Sequence, residues 1–254
     1  MSNSSLVSYT KISPNRTSPR NHKIDTVTIH CVVGQLTVEA LGNIFSNPNA
    51  EASSNYGIGL DGKIGMYVEE KDRSWCSSSR SNDNRAITIE VASDTTHPYA
   101  VNDKAYNSLI TLLVDICKRN NIKKLLWQGD KSLIGQVDKQ NMTVHRWFAD
   151  KACPGDYLYY RHGAIANAVN KALGASPNPA PAPNKPASTN NSYKVRVDTS
   201  NLRIRKTPSI NGEIVGVVQP GVYTIIKETV ADNYHWGQLK SGAGWIALEY
   251  CVKI

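Results

Sequence analysis

No long apolar run interrupts this chain. No stretch approaches the ~18 consecutive apolar residues needed to cross a bilayer, and the opening MSNSSLVSYTKISPNRTSPRN lacks the apolar core of a secretion signal. The sequence therefore predicts a soluble protein with no stable membrane insertion and no signal peptide. Cysteine is sparse: Cys31, Cys76, Cys117, Cys153 and Cys251 form no C-x-x-C pair and sum to an odd number. That arithmetic excludes a disulfide framework in a chain of this size and predicts reduced thiols. Met66 and Met142 do not cluster, so no soft thioether metal site is expected. The charge is positive, 29 Lys+Arg against 21 Asp+Glu for a net +8, but it is gathered into no basic stripe or nucleic-acid motif. A nucleic-acid partner is not expected; attraction to anionic polymers accounts for the same charge.

What remains is an ordinary globular composition, 40% hydrophobic and 20% charged, over 254 residues, enough for one large or two smaller domains. The sharpest break is GASPNPAPAPNKPASTNNS, Gly174 to Ser192, which holds five of the twelve prolines. Prolines at this spacing fix φ and remove backbone donors, so residues 174–192 read as a semi-rigid linker. Residues 1–173 carry 20 basic and 16 acidic side chains, and residues 193–254 carry 8 and 5. Both parts are mildly basic.

The first part alternates strand and helix patterns. Asp25–Val33 and Ala86–Ser93 are β-branched and apolar enough for buried strands, and Asn55–Val68 reads as a hairpin about Asp61-Gly62. Helical spacing is expected over Thr37–Phe45, over Asp103–Asn120 (Ala105, Leu109, Leu112, Leu113, Ile116), and over Tyr157–Leu173 with a stop at Gly174. This predicts an α/β domain with a mixed central sheet flanked by helices. Residues 193–254 have no helical period; short β-like runs broken by Ser209–Gly212, Pro220-Gly221 and Ser241–Gly244 predict a small all-β barrel.

Three residues suited to zinc stand where the chain turns out of the predicted sheet: His30 at a strand end, His145 after Met142-Thr143-Val144, and Cys153 before Pro154-Gly155. Two imidazoles and a thiolate leave a fourth tetrahedral position open, the pattern of a catalytic rather than a structural site. Spacing alone also fits a satisfied structural histidine and a small buried cysteine.

Val27-Thr28-Ile29-His30, Asn55 to Gly62, Ser74-Trp75, Asn84 to Glu90, and His145 with Lys151-x-Cys153-Pro154-Gly155 occur in the order seen in zinc-dependent N-acetylmuramoyl-L-alanine amidases. The chain from about Thr26 to Leu173 thus resembles the amidase type 2 group, which shares its fold with peptidoglycan recognition proteins. The resemblance implies Zn2+ as cofactor, held by His30, His145 and Cys153, and peptidoglycan as substrate. It further implies catalytic roles for Tyr56 and Glu90 around the attacking water, either being the proton acceptor, and for Lys151 at the oxyanion. Many relatives carry His where this chain has Cys76. Trp75, Trp147 and Tyr99 are candidate groove aromatics, and His162 is expected on the surface of the last helix.

The order Asn201-Leu202-Arg203-Ile204-Arg205, Val217-Val218, Gly221, Trp236, Gly244-Trp245-Ile246 and Tyr250 resembles a bacterial SH3 (SH3b) domain. Residues 1–173 are then an expected zinc amidase domain and 193–254 a cell-wall-binding domain, with Tyr223, Tyr234, Trp236, Trp245 and Tyr250 as candidate contacts. Together these features imply an endolysin-like enzyme, made in the cytoplasm and acting on Gram-positive walls after release. A host autolysin and a non-catalytic recognition protein are the alternatives, and retention of Cys153 favours the enzyme.

Overall fold

The structure, a computed structural model, describes residues 2–176, 192–231 and 234–254. The chain divides into two units, residues 1–181 and 182–254. Most of the proline-rich linker, residues 177–191, lies outside the described residues.

In the first unit the chain runs through β1 (Tyr9–Thr10), β2 (Arg16–Thr17), β3 (Thr26–Cys31), α1 (Val38–Ser46), β4 (Tyr56–Ile58), β5 (Ile64–Met66), β6 (Arg73–Ser74), α2 (Arg80–Arg85), β7 (Ala86–Val91), α3 (Asp103–Arg119), β8 (Met142–Thr143) and α4 (Gly155–Ala172). Six strands form a mixed sheet in the order β1-β5-β4-β7-β3-β8, in which only the β4–β5 hairpin is antiparallel; β2 and β6 pair separately. All six residues of β3 are buried, as expected for a β-branched run inside a parallel sheet. The mixed sheet with helices matches the predicted fold class.

Helix boundaries follow local chemistry. The Thr37 side chain caps α1 by accepting from the Ala40 N–H (3.3 Å), and the Asn102 side chain caps α3 by accepting from the Ala105 N–H (3.0 Å). Leu109, Leu112, Leu113 and Ile116 of α3 are fully buried, the stripe anticipated from spacing. Each buried leucine of this kind contributes about 1.5–3 kcal/mol. The α4 helix begins at Gly155, two residues before its apolar pattern starts, and Gly174 (φ +70°) follows its end.

His162 is a correction. It is fully buried, not on the surface. It lies on the same α4 stripe as Leu158, Ile165, Ala166 and Val169, so the i, i+4 geometry carries it inward. Its Nδ1 pairs with the Leu158 carbonyl (2.7 Å) and its ring lies 4.5 Å from that of Trp127. Burial pushes its pKa down to about 4. Trp147 is core as well, stacked on Trp127 at 5.1 Å, whereas Trp75 and Tyr99 are half-buried.

The second unit is all-β: β9 (Tyr193–Val197), β10 (Leu202–Arg205), β11 (Ile214–Val218), β12 (Gly221–Ala231), β13 (Tyr234–Leu239), β14 (Trp245–Ala247) and β15 (Cys251–Lys253). These seven antiparallel strands, ordered β11-β10-β14-β13-β12-β9-β15, are compatible with an SH3b-like domain. Their core contains Val195, Val197, Ile204, Ile225, Leu239 and Ile246. Trp236 is buried, with its indole N–H donated to the Ala231 carbonyl, while Tyr223, Tyr234, Trp245 and Tyr250 remain half-buried.

Candidate metal centre

Parallel pairing of β3 with β7 sets His30 directly beside Glu90 at their C-terminal ends. His30 Nδ1 lies 3.9 Å from Glu90 Oε1. On the other side β8 pairs parallel with β3, aligning Thr28 with Thr143. Their hydroxyls lie 2.8 Å apart, and the Asn82 amide bonds both: Nδ2 donates to Thr28 Oγ1 (3.0 Å) and Oδ1 accepts from Thr143 Oγ1 (2.9 Å). Two residues beyond Thr28 and Thr143 come His30 and His145, so this buried triangle registers the two strands that deliver the imidazoles. The rings lie 5.1 Å apart at 62°.

Cys153 reaches the same point by a clasped turn. The Arg146 N–H donates to the Cys153 carbonyl (3.1 Å), and the Arg146 guanidinium donates to the Ala152 carbonyl (2.5 Å) and Asp156 Oδ1 (2.9 Å). Gly155 must be glycine there: its φ is +76°, and a Cβ would meet Tyr99 Cβ at 2.6 Å and the Pro98 carbonyl oxygen at 3.0 Å. Cys153 Sγ lies 3.3 Å from His30 Nδ1. His30, His145 and Cys153 each offer one donor atom, all within 4.8 Å of one another.

The electrostatics suit a cation. Burial, with His145 and His162 nearby, pushes the pKa of His30 down to about 3, so its imidazole is neutral. His145 is lowered by burial and by the Lys151 charge. The Cys153 thiol is pushed well up, first by its hydrogen bond with Cys31, then by burial and Glu90. Burial lifts Glu90 to about 7. His30 Nε2 and Glu90 Oε2 are buried with no hydrogen-bond partner. A partnerless carboxyl oxygen and a thiol with a raised pKa are costly where they stand; a doubly charged ion would favour the thiolate, would take the lone pair of His30 Nδ1, the nitrogen that faces Cys153, and would offset the carboxylate charge, while leaving His30 Nε2 as it is. Tetrahedral zinc bonds of roughly 2.0–2.3 Å put adjacent donors about 3.3–3.8 Å apart. The Cys153–His30 separation already meets that spacing, so the residues fit zinc.

The other expected site residues separate. Glu90 borders the cluster at His30 and groups with His30 and Cys76, and Lys151 is exposed on the loop before Cys153, near enough to influence His145. Tyr56 is a correction. It pairs with Ile89, one position out of phase with Glu90, so alternation along the strand sends its side chain to the opposite sheet face. There its hydroxyl donates to Glu70 Oε1 (2.7 Å) and accepts from the Ser4 N–H (3.0 Å), fully buried.

Two neighbours of the cluster were not anticipated. Cys76 Sγ lies 3.8 Å from Glu90 Oε1, and Ser78 Oγ lies 2.9 Å from His145 Nε2. The sequence marks Cys76 only as a substitution and gives no signal at Ser78.

No curated protein matches the chain. Among solved structures, PlyL is similar at 17% identity, covering 67% of this chain and 98% of that one with a TM-score of 0.48. A mutant endolysin from Bacillus subtilis is 18% identical over 63% of this chain and 97% of that one, TM-score 0.47. The endolysin N-acetylmuramoyl-L-alanine amidase LysCS from Clostridium intestinale is 19% identical over 59% and 84%, TM-score 0.41. The sequence model of one family, N-acetylmuramoyl-L-alanine amidase, matches residues 20–156, more than half of the chain and all of the cluster, and to that family this protein belongs.

Proposed function

We propose that the protein is a zinc-dependent hydrolase of peptidoglycan that cleaves the amide between the lactyl carboxyl of N-acetylmuramic acid and L-alanine. One observation carries this: in a chain of the amidase family, His30, His145 and Cys153 converge beside Glu90, whose buried Oε2 has no hydrogen-bond partner among the described residues. Zinc, when bound, supplies Lewis acidity, polarising the scissile carbonyl and bringing the pKa of water from 15.7 toward ~7.

This chain's residues do the rest. His30, neutral and wholly buried, offers a lone pair with no proton to displace. Glu90 is the proton acceptor. Its Oε2 has no competing partner, and a carboxyl held near about 7 by burial can take a proton from the attacking water and return it to the leaving amine. A nearby cation draws that value down and keeps the basic form populated. Lys151 brings positive charge against the oxyanion that forms at the carbonyl. Tyr56 takes no part, because its hydroxyl is committed to Glu70.

Residues 193–254 act, in this proposal, as an SH3b wall-binding module tethered by residues 174–192, with anionic wall polymers as a partner. The setting is that of an endolysin acting on Gram-positive walls. Tethering raises the local substrate concentration, so a chain ending at residue 173 should lose far more activity on intact walls than on a small soluble muropeptide.

Metal analysis combined with end-group analysis of purified walls tests the enzymatic claim. The expected result is one zinc per chain and newly exposed amino-terminal alanine, abolished by chelation and restored by zinc. Wall solubilisation that frees reducing sugar and no alanine would overturn it.

A further inference from the structure

The segment Trp75–Ser79, between β6 and α2, is held more firmly than an ordinary connection. The buried Asp83 carboxylate, 2% exposed, accepts the Cys76 N–H (3.0 Å to Oδ2) and the Ser77 N–H (3.2 Å to each oxygen). Asn82 Nδ2 donates to Ser77 Oγ (3.1 Å) while also bonding Thr28, and Ser79 Oγ caps α2 by accepting from the Asn82 N–H (3.3 Å). Asn82, which registers β3 against β8, thus also anchors this loop.

At its tip Ser78 adopts φ +62°. A side chain there is strained; glycine would not be. All that serine adds over glycine is a CH2 and a hydroxyl, and the hydroxyl is spent on one contact, 2.9 Å from His145 Nε2. A strained backbone that delivers one polar group to a candidate metal ligand is a sign of positioning.

We infer that Ser78 is a positioning residue for His145, and this rests on the proposed metal site. Its oxygen occupies Nε2 and leaves Nδ1 as the nitrogen available to a metal. With Nδ1 committed as a lone-pair donor, Nε2 carries the ring hydrogen and donates it to Ser78 Oγ. The anchored loop therefore fixes both the rotation of the ring and its tautomer before the metal arrives, which lowers the ordering needed on binding.

The test compares the full-length parent with Ser78→Gly and Ser78→Asn. Glycine keeps the backbone and removes the hydroxyl; asparagine tolerates positive φ and restores a polar side chain. Zinc affinity is read by competition with a chromophoric chelator, and the ring state by 15N shifts of His145. Ser78→Gly should melt no lower than the parent without metal, bind zinc about 10-fold more weakly, and exchange the His145 Nε2 hydrogen faster. Ser78→Asn should recover part of the affinity. A glycine variant within twofold of the parent in affinity would overturn the inference and leave the amidase proposal standing, and so would one that fails to fold, since Ser78 would then be structural. A parent that binds no zinc would remove the metal site itself and the inference with it.

Discussion

Two carboxyls of the first unit, Glu70 fully buried and Glu90 nearly so, have opposite surroundings. Glu70 is surrounded by partners: Oε1 accepts from the Tyr56 hydroxyl (2.7 Å) and pairs with Arg119 (2.6 Å), and Oε2 accepts from Asn120 Nδ2 (2.9 Å). Glu90, whose side chain is about 15% exposed, has no Lys or Arg partner among the described residues; Cys76 Sγ lies 3.8 Å and His30 Nδ1 3.9 Å from Oε1, and Oε2, itself buried, has no hydrogen-bond partner. A completed network of the first kind locks a fold. An incomplete one of the second kind is costly unless a missing component supplies the charge. The contrast separates structure from chemistry in this protein, and it can be attacked from either side.

The strongest attack is Glu90→Gln. It keeps shape and removes basicity, so turnover should fall by about 10²–10⁴-fold with zinc still bound, checked by alanine release alongside metal content. Unchanged turnover would return the proton acceptor to the field. Next, Lys151→Ala should slow turnover by about 10²-fold, again without loss of zinc. Loss of metal in that variant would show that a structural charge had been taken for a catalytic one.

Tyr56→Phe probes the other carboxyl. Removing the hydroxyl leaves Glu70 Oε1 and the buried Ser4 N–H each short of a partner, for about 1–3 kcal/mol of stability. Turnover on a soluble muropeptide should change by less than about twofold. Denaturant unfolding and steady-state kinetics measure the two effects, and a large kinetic effect with intact stability would restore Tyr56 to catalysis.

The smallest effect is acid sensitivity from His162. Its folded pKa, about 4, lies below the ordinary 6.5. The unfolded chain therefore binds its proton first as pH falls. The neutral-ring stability is intact above about 6.5 and is lost progressively toward 4. His162→Gln should flatten the stability–pH curve across that window; an unaltered curve would mean the burial is relieved before protonation.

Much of this was legible in the sequence because it follows from period and punctuation. The β-branched run of β3, the short Met142-Thr143-Val144 run and the Pro154-Gly155 turn put His30, His145 and Cys153 at the ends of elements; that the three share a metal came from the family resemblance, since spacing alone also fits a structural histidine and a buried cysteine. The failures have separate causes. Tyr56 and Glu90 both sit on strands near the candidate ligands, but which sheet face each occupies depends on the β4–β7 register, and a one-residue slip reverses it. His162 was misjudged because a polar residue on an apolar stripe does not reveal that a backbone carbonyl will accept its hydrogen. Ser78 was invisible because positive φ in a non-glycine residue leaves no compositional trace.

If zinc binds the His30–His145–Cys153 cluster through the Cys153 thiolate, a metal-linked melting curve shows it directly. Stripped of metal and then supplied with zinc at about 1,000 times its Kd, the first unit should gain about 4 kcal/mol, seen as a rise in its melting temperature. The Cys153→Ser variant, whose hydroxyl is a poor ligand, should show no rise. A parent indifferent to zinc, or a serine variant stabilised as much as the parent, would contradict the account.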